Sequence, residues 1–152
     1  MKVSIIVPVY NSSSMLEELV QRVNKTMSNL DFENDYELLL INDCSEDNSW
    51  KTIVRLIEQF PFIKGINLTE NFGQHNAIMA GLNNCAGEYI ITIDDDLQHP
   101  PEFISDILDK LKTNDVCYTN YINRKHIGWK KFASNLNNII SSFILNKSLR
   151  IY

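Results

Sequence analysis

No acidic residue follows Asp115, no apolar run reaches the length of a bilayer span, and cysteine occurs only at Cys44, Cys85 and Cys117. Each absence excludes something. A membrane-crossing helix needs about 20 consecutive apolar residues, and the early run Ile5-Ile6-Val7 is cut by Pro8, which leaves it too short for the core of a signal peptide. A cytoplasmic protein is the expectation. Three scattered cysteines suit reduced thiols and exclude a four-thiolate zinc site. Glycine is scarce, and Gly73 stands alone, so it reads as a turn residue rather than part of a phosphate-cradling loop. Internal repeats and low-complexity segments are missing as well.

What is present is enough for one domain with a real core, since 44% of the 152 residues are hydrophobic. The net charge of -5 gives no reason to expect a nucleic-acid partner, but it conceals an asymmetry. All 19 acids lie in the first 115 residues, whereas the remainder carries Arg124, Lys125, Lys130, Lys131, Lys147 and Arg150. Such a split suggests that the two ends meet different partners.

Hydrophobic periodicity alternates between strand and helix. Residues 2–9 are β-branched and apolar, and Asn11 to Ser14 offer side-chain caps for a helix with Met15, Leu16, Leu19, Val20, Val23, Met27 and Leu30 on one face. A second strand is expected at 36–41. It is followed by a helix whose stripe is Trp50, Ile53, Val54, Ile57 and Phe60, stopped by Pro61. A third strand at 63–68 leads to a small-residue helix at 77–84 with Gly87 at its exit, and a buried central strand at 90–93 precedes a helix at 101–112. A fifth strand is expected at 116–121. This order predicts an α/β fold with a mostly parallel central sheet and helices on both faces.

The central run ends in Asp94-Asp95-Asp96, followed by Leu97-Gln98-His99 and two prolines. In open α/β sheets ligands bind outside the carboxyl ends of the strands. Three adjacent carboxylates repel one another unless a cation neutralises them, and hard oxygen ligands suit Mg²⁺ or Mn²⁺. If the chain stays extended, Asp94 and Asp96 share one side, Gln98 continues that parity with a neutral oxygen, and Asp95 points away. The competing reading makes these acids caps for the next helix, which accounts for one Asp and not for three. Asp43, after the second strand, and Tyr10, after the first, should face the same crevice. An Asp there can accept an N–H from a nucleobase, or it can cap the following helix together with Ser45 and Asp47. His99 is the tempting general base beside the acids, although a structural hydrogen bond is the commoner use of such a histidine. His75 and His126 have no better claim.

Taken together, Val7-Pro8-Val9-Tyr10-Asn11, then Asn42-Asp43-Cys44-Ser45-Glu46-Asp47-Asn48-Ser49, then Asn71-Phe72-Gly73 with Ala77 and Gly81, then Asp94-Asp95-Asp96, resemble the ordered motifs of family 2 glycosyltransferases of the GT-A fold. The block from Asp94 to Glu102 is similar to that of the dolichyl- and bactoprenyl-phosphate sugar synthases. The resemblance covers about residues 1–125, implying a nucleotide-sugar-binding core there, with a basic amphipathic helical segment at 126–152 as the start of an acceptor or membrane side. It implies nucleotide binding by Pro8, Tyr10, Asp43 and Asp95. Metal and diphosphate fall to Asp94, Asp96 and Gln98, with Asp94 and Asp96 as the catalytic pair, and Arg124 lies on the phosphate or acceptor side.

The resemblance further implies an inverting hexosyltransferase acting in cell-surface polysaccharide biosynthesis. Its donor would be a nucleotide-diphosphate sugar, with UDP favoured, and its acceptor a lipid phosphate or a growing glycan. Two departures stand out: Asn42 replaces the first of two usual acids, and Asp95 occupies a position that is often small. Members of the polyprenyl-phosphate subgroup also continue beyond residue 152. Two other readings stay open, a catalytically silent nucleotide-binding or interaction module and a receiver-like Mg²⁺ domain. The latter is disfavoured by Pro8-Val9-Tyr10 where it would gather acids. In the last segment, Trp129, Phe132, Ala133, Leu136, Ile139, Ile140, Phe143 and Ile144 recur at helical spacing. That stripe either packs on the sheet or lies in an anionic membrane interface as a peripheral contact over residues 129–145. Left uncovered, it would drive homo-oligomerisation.

Overall fold

A computed structural model describes residues 2–30, 32 and 35–119. The described fold is a four-stranded sheet in the order β3-β2-β1-β4, with β1 at Val3–Val9, β2 at Tyr36–Asn42, β3 at Ile63–Asn67 and β4 at Tyr89–Thr92. All three pairings are parallel; Val3 aligns with Tyr36 and with Tyr89, and Leu38 aligns with Ile63. Between strands run α1 (Leu16–Asn29), α2 (Ser49–Gln59) and α3 (Gln74–Leu82). After β4 a single 3₁₀ turn, Pro101–Phe103, leads into α4 (Ile104–Leu111).

Strand parity divides the core in two. Val3, Ile5, Val7, Val9, Leu38 and Leu40 face a large cluster built with Leu16, Leu19, Val20, Val23 and Met27 of α1, Ile53 and Leu56 of α2, and Ile104 and Leu108 of α4. On the opposite face Ile6, Leu39 and Ile41 meet Ala77 of α3. Helices therefore cover both faces, and β1 and β2 are buried along their whole length. Gly81 lets α3 lie close on the sheet, since a Cβ there would stand 2.5 Å from Cγ2 of Ile6.

Several expectations change. Among the described residues the acid-bearing strand β4 pairs with β1 alone, and Ile90 is 41% exposed. An apolar run signals a strand, but its place in the sheet depends on partners the run does not encode. The α2 stripe passes through Leu56 and leaves Val54 exposed. Helix α3 begins at Gln74, earlier than expected, and ends at Leu82 without using Gly87. Asn11 to Ser14 do not cap α1, whose first turn has no side-chain cap; Asn11, Ser12 and Ser13 bind neighbouring loops instead. Residues 116–119 form no strand, and 120–121 lie outside the described residues, as do Arg124, His126 and the amphipathic segment 126–152. No described helix is long and apolar enough to cross a membrane.

Candidate functional site

Three strand ends converge because β1, β2 and β4 are parallel neighbours or next-neighbours in one sheet. Beyond them opens a cavity of about 390 Å³ lined by Pro8, Val9 and Tyr10 from β1, Asp43 from β2, Asn71, Gly73 and Gln74 from the start of α3, and Asp94, Asp95 and Asp96 from β4. Six sequence-predicted residues, Pro8, Tyr10, Asp43, Asp94, Asp95 and Asp96, are thus brought to one site. Gln98 is exposed and does not line it.

The extended parity expected for the acids does not hold. The strand stops at Thr92, Asp95 and Asp96 form a turn, and Leu97 is left-handed at φ 57°. Each acid consequently takes its own partners. Asp94 receives the Gln74 side-chain amide at 2.8 Å on Oδ1 and faces His99 Nδ1 at 3.1 Å on Oδ2. Asp95 Oδ2 accepts the Tyr10 N–H at 3.0 Å and the Ser12 hydroxyl at 2.5 Å. Asp96 Oδ1 accepts the Gln98 N–H at 3.0 Å, closing the turn locally.

Asp43 does not cap α2. It is buried at 3% exposure, and its oxygens accept the N–H groups of Phe72 and Gly73, each at 2.8 Å. Gly73 has φ 87°, a conformation glycine adopts without a Cβ penalty. Capping falls to Asp47, whose Oδ1 accepts the Ser49 N–H at 2.8 Å while Oδ2 accepts the Ser13 N–H at 3.0 Å. Burial pushes the Asp47 carboxyl up, but the donors on Ser49 and Ser13 outweigh it and bring it down to about 2.

The same loops are stitched further. Asn11, left-handed at φ 54°, accepts the Glu46 N–H at 2.8 Å on its side chain, and its own N–H reaches Ser45 Oγ at 3.0 Å. The Ser12 N–H donates to Ser49 Oγ at 3.0 Å. Asn11, Ser12, Ser13, Ser45 and Asp47, all residue types suited to helix caps, thus cross-link the β1 and β2 loops.

Sequence reasoning missed Gln74 and Ser12. Gln74 follows Gly73 at the head of α3, so a polar side chain one residue beyond a turn glycine was the available signal. Nothing local marks Ser12, whose partner lies 83 positions away.

Among the described residues no group of three or more His, Cys, Asp or Glu is gathered as a metal cage. The donor set still fits Mg²⁺ or Mn²⁺, which are commonly held by one or two carboxylates with substrate phosphates and water completing the shell. Asp94 and Asp96 both reach the cavity and could serve in that way.

A family model described as "Glycosyl transferase family 2" matches residues 4–151. Among curated proteins, an undecaprenyl-phosphate 4-deoxy-4-formamido-L-arabinose transferase from Proteus mirabilis is 37% identical over 153 residues; the match takes in 99% of this chain and 46% of that protein. The chain thus spans about half the length of this relative. Among solved structures, mannosyltransferase PcManGT from Pyrobaculum calidifontis, in complex with GDP-Man and Mn²⁺, aligns with TM-score 0.66 at 22% identity over 78% of this chain and 36% of that one. S. aureus TarS 1-349 in complex with UDP-GlcNAc aligns with TM-score 0.54 at 26% identity over 71% and 32%. The fold is that of these GT-A glycosyltransferases.

Proposed function

Because the chain belongs to glycosyl transferase family 2, we propose that it forms the donor side of an inverting glycosyltransferase that moves a sugar from a UDP-sugar to a polyprenyl phosphate. One observation carries the reading: Tyr10, Asp43 and the three acids, from three strand ends, line one cavity. Pro8 and Tyr10 form the wall for the nucleoside. Asp43 keeps lone pairs beyond the two backbone donors it already serves, and these can accept a base N–H. Support for a UDP-sugar comes from the TarS complex with UDP-GlcNAc, and support for the lipid phosphate from the undecaprenyl-phosphate relative.

Asp94 and Asp96 would hold Mg²⁺ or Mn²⁺. The chemistry such a cation supplies when bound is neutralisation of charge developing on the diphosphate as the sugar C1–O bond breaks. Gln74 and His99 orient Asp94 for that task. The acceptor oxygen attacks C1 from the face opposite the leaving group, which inverts the anomeric centre. A phosphate acceptor is already ionised, so no side chain has to remove a proton, and His99 is left as a partner of Asp94.

Calorimetric titration with UDP and with GDP, each with and without Mn²⁺, tests this reading. UDP should bind in a Mn²⁺-dependent manner and more tightly than GDP; no binding of either nucleotide overturns it. Transfer from a UDP-sugar to a polyprenyl phosphate then separates an enzyme from a silent nucleotide-binding module. The same acceptor would draw the basic segment 126–152 to an anionic surface as a peripheral contact. Co-sedimentation with phosphatidylglycerol vesicles at low salt, lost as salt rises, checks that step; equal binding to neutral vesicles counts against it.

A further inference from the structure

We infer that Asp95 is a positioning residue that clamps the β1 loop against the acidic turn, and that its oxygen, rather than its charge toward a ligand, is what the site uses. This rests on the donor site proposed above and assigns the middle acid a task distinct from those of Asp94 and Asp96.

The geometry is specific. A single oxygen, Asp95 Oδ2, takes two donors from the β1 loop, the Tyr10 N–H at 3.0 Å and the Ser12 hydroxyl at 2.5 Å. Those residues lie 85 and 83 positions earlier in the chain, so the contact joins the end of β4 to the end of β1 directly. One oxygen has lone pairs for both donors, and two bonds on it fix both the loop backbone and the side chain beside it. On its far side the loop is fastened by Asn11 to Ser45 and Glu46, by Ser12 to Ser49 and by Ser13 to Asp47.

The loop needs this restraint. Asn11 sits at φ 54°, a left-handed conformation that asparagine tolerates better than other non-glycine residues but that still gains from loop hydrogen bonds that hold it. Tyr10, beside it, is 47% exposed and lines the cavity, so among the described residues no packed core holds its ring in place. Fastened from both sides, the backbone at Tyr10 presents that ring and the Pro8 wall in a fixed position before any ligand arrives. Without Asp95 the loop keeps, among the described residues, its ties to the β2 loop and the head of α2, and the wall has to be ordered at the moment of binding, which weakens affinity.

The substitutions Asp95→Asn and Asp95→Ala separate oxygen from charge. Asn keeps a carbonyl oxygen able to accept both donors, whereas Ala removes the acceptor. Amide hydrogen exchange followed by NMR on the full chain without ligand should show the Tyr10 N–H exchanging at least about tenfold faster in Asp95→Ala, and within about twofold of the parent in Asp95→Asn. Ser12→Ala should loosen the loop partway, and Ser12→Thr, which restores a hydroxyl, should reverse that. In calorimetry with Mn²⁺, UDP affinity should fall at least about fivefold in Asp95→Ala with the Mn²⁺ concentration for half-maximal effect unchanged, and should be retained in Asp95→Asn. If Asp95→Asn loses as much affinity as Asp95→Ala and raises the Mn²⁺ requirement, Asp95 acts through its charge and the inference fails. Unchanged exchange in a folded Asp95→Ala also overturns it. If the parent protein binds no UDP while the exchange pattern appears as described, the donor-site reading falls and the clamp stands.

Discussion

The side chain of Asp43, at the end of β2, accepts the backbone N–H of Gly73 at 2.8 Å across thirty positions of chain, and so sets where α3 begins. Its other oxygen takes the Phe72 N–H at the same distance. Asp43→Asn must turn an amide NH₂ toward one of these backbone donors, leaving a buried N–H unpaired. The cost should be roughly 1–3 kcal/mol in urea-induced unfolding. Discrimination between UDP and CDP should fall as well. A stability loss with discrimination intact would confine Asp43 to holding the loop.

That double use explains why the site was only partly legible in the sequence. The composition of β1 and β2 announces buried parallel strands, and their observed limits differ from expectation by a residue at most. Converging strand ends follow from topology, so the shared crevice of Tyr10, Asp43 and the three acids is legible from the order of strands alone. What no local pattern carries is the choice of partner for a polar side chain. Asn11, Ser12, Ser13, Asp43 and Asp47 all have the residue types of helix caps, yet only Asp47 bonds the first turn of its helix by side chain, and the rest spend their groups on other loops. Val54 and Leu56 are equally apolar neighbours in sequence, and only packing on β2 and β3 decides that Leu56 goes inside. The edge position of β4 in the described sheet is likewise a property of pairing rather than of Ile90 or Ile91 themselves.

Asp96 lines the cavity and, among the described residues, engages only its own turn, through the Gln98 N–H. Its removal should therefore leave the β1 loop and α3 in place while taking away one of the two carboxylates proposed to hold the cation. Asp96→Ala is expected to weaken UDP binding in Mn²⁺ at least tenfold, about 1.4 kcal/mol, with little change when the metal is chelated. Equal loss with and without Mn²⁺ would count against Asp96 as a metal ligand.

Acid sensitivity of the fold should trace in large part to Glu37, at the far end of the sheet from the cavity. Its side chain is buried on β2, where Oε1 accepts the Ser4 hydroxyl and the Ala86 N–H, both at 2.6 Å, while Oε2 faces the Lys64 ammonium at 2.6 Å. Burial alone would raise this carboxyl. The donors from Lys64, Ser4 and Ala86 overcome it and bring it from 4.5 to about 2. A carboxyl with a depressed folded-state value binds protons more readily when unfolded, so it stabilises the fold fully above about 4.5 and loses that contribution as pH falls toward 2. Asp47, also lowered to about 2, adds to the same decline and so must be held constant in the comparison. Glu37→Gln keeps one oxygen for Ser4 and Ala86 but turns an NH₂ toward Lys64, and should cost roughly 1–3 kcal/mol near neutral pH. Urea unfolding measured at steps from pH 7 to pH 2.5 should show the gap between parent and variant narrowing below about 4.5. A gap that stays constant across that range would mean the Glu37 charge contributes nothing, and that its cost on replacement lies in packing alone.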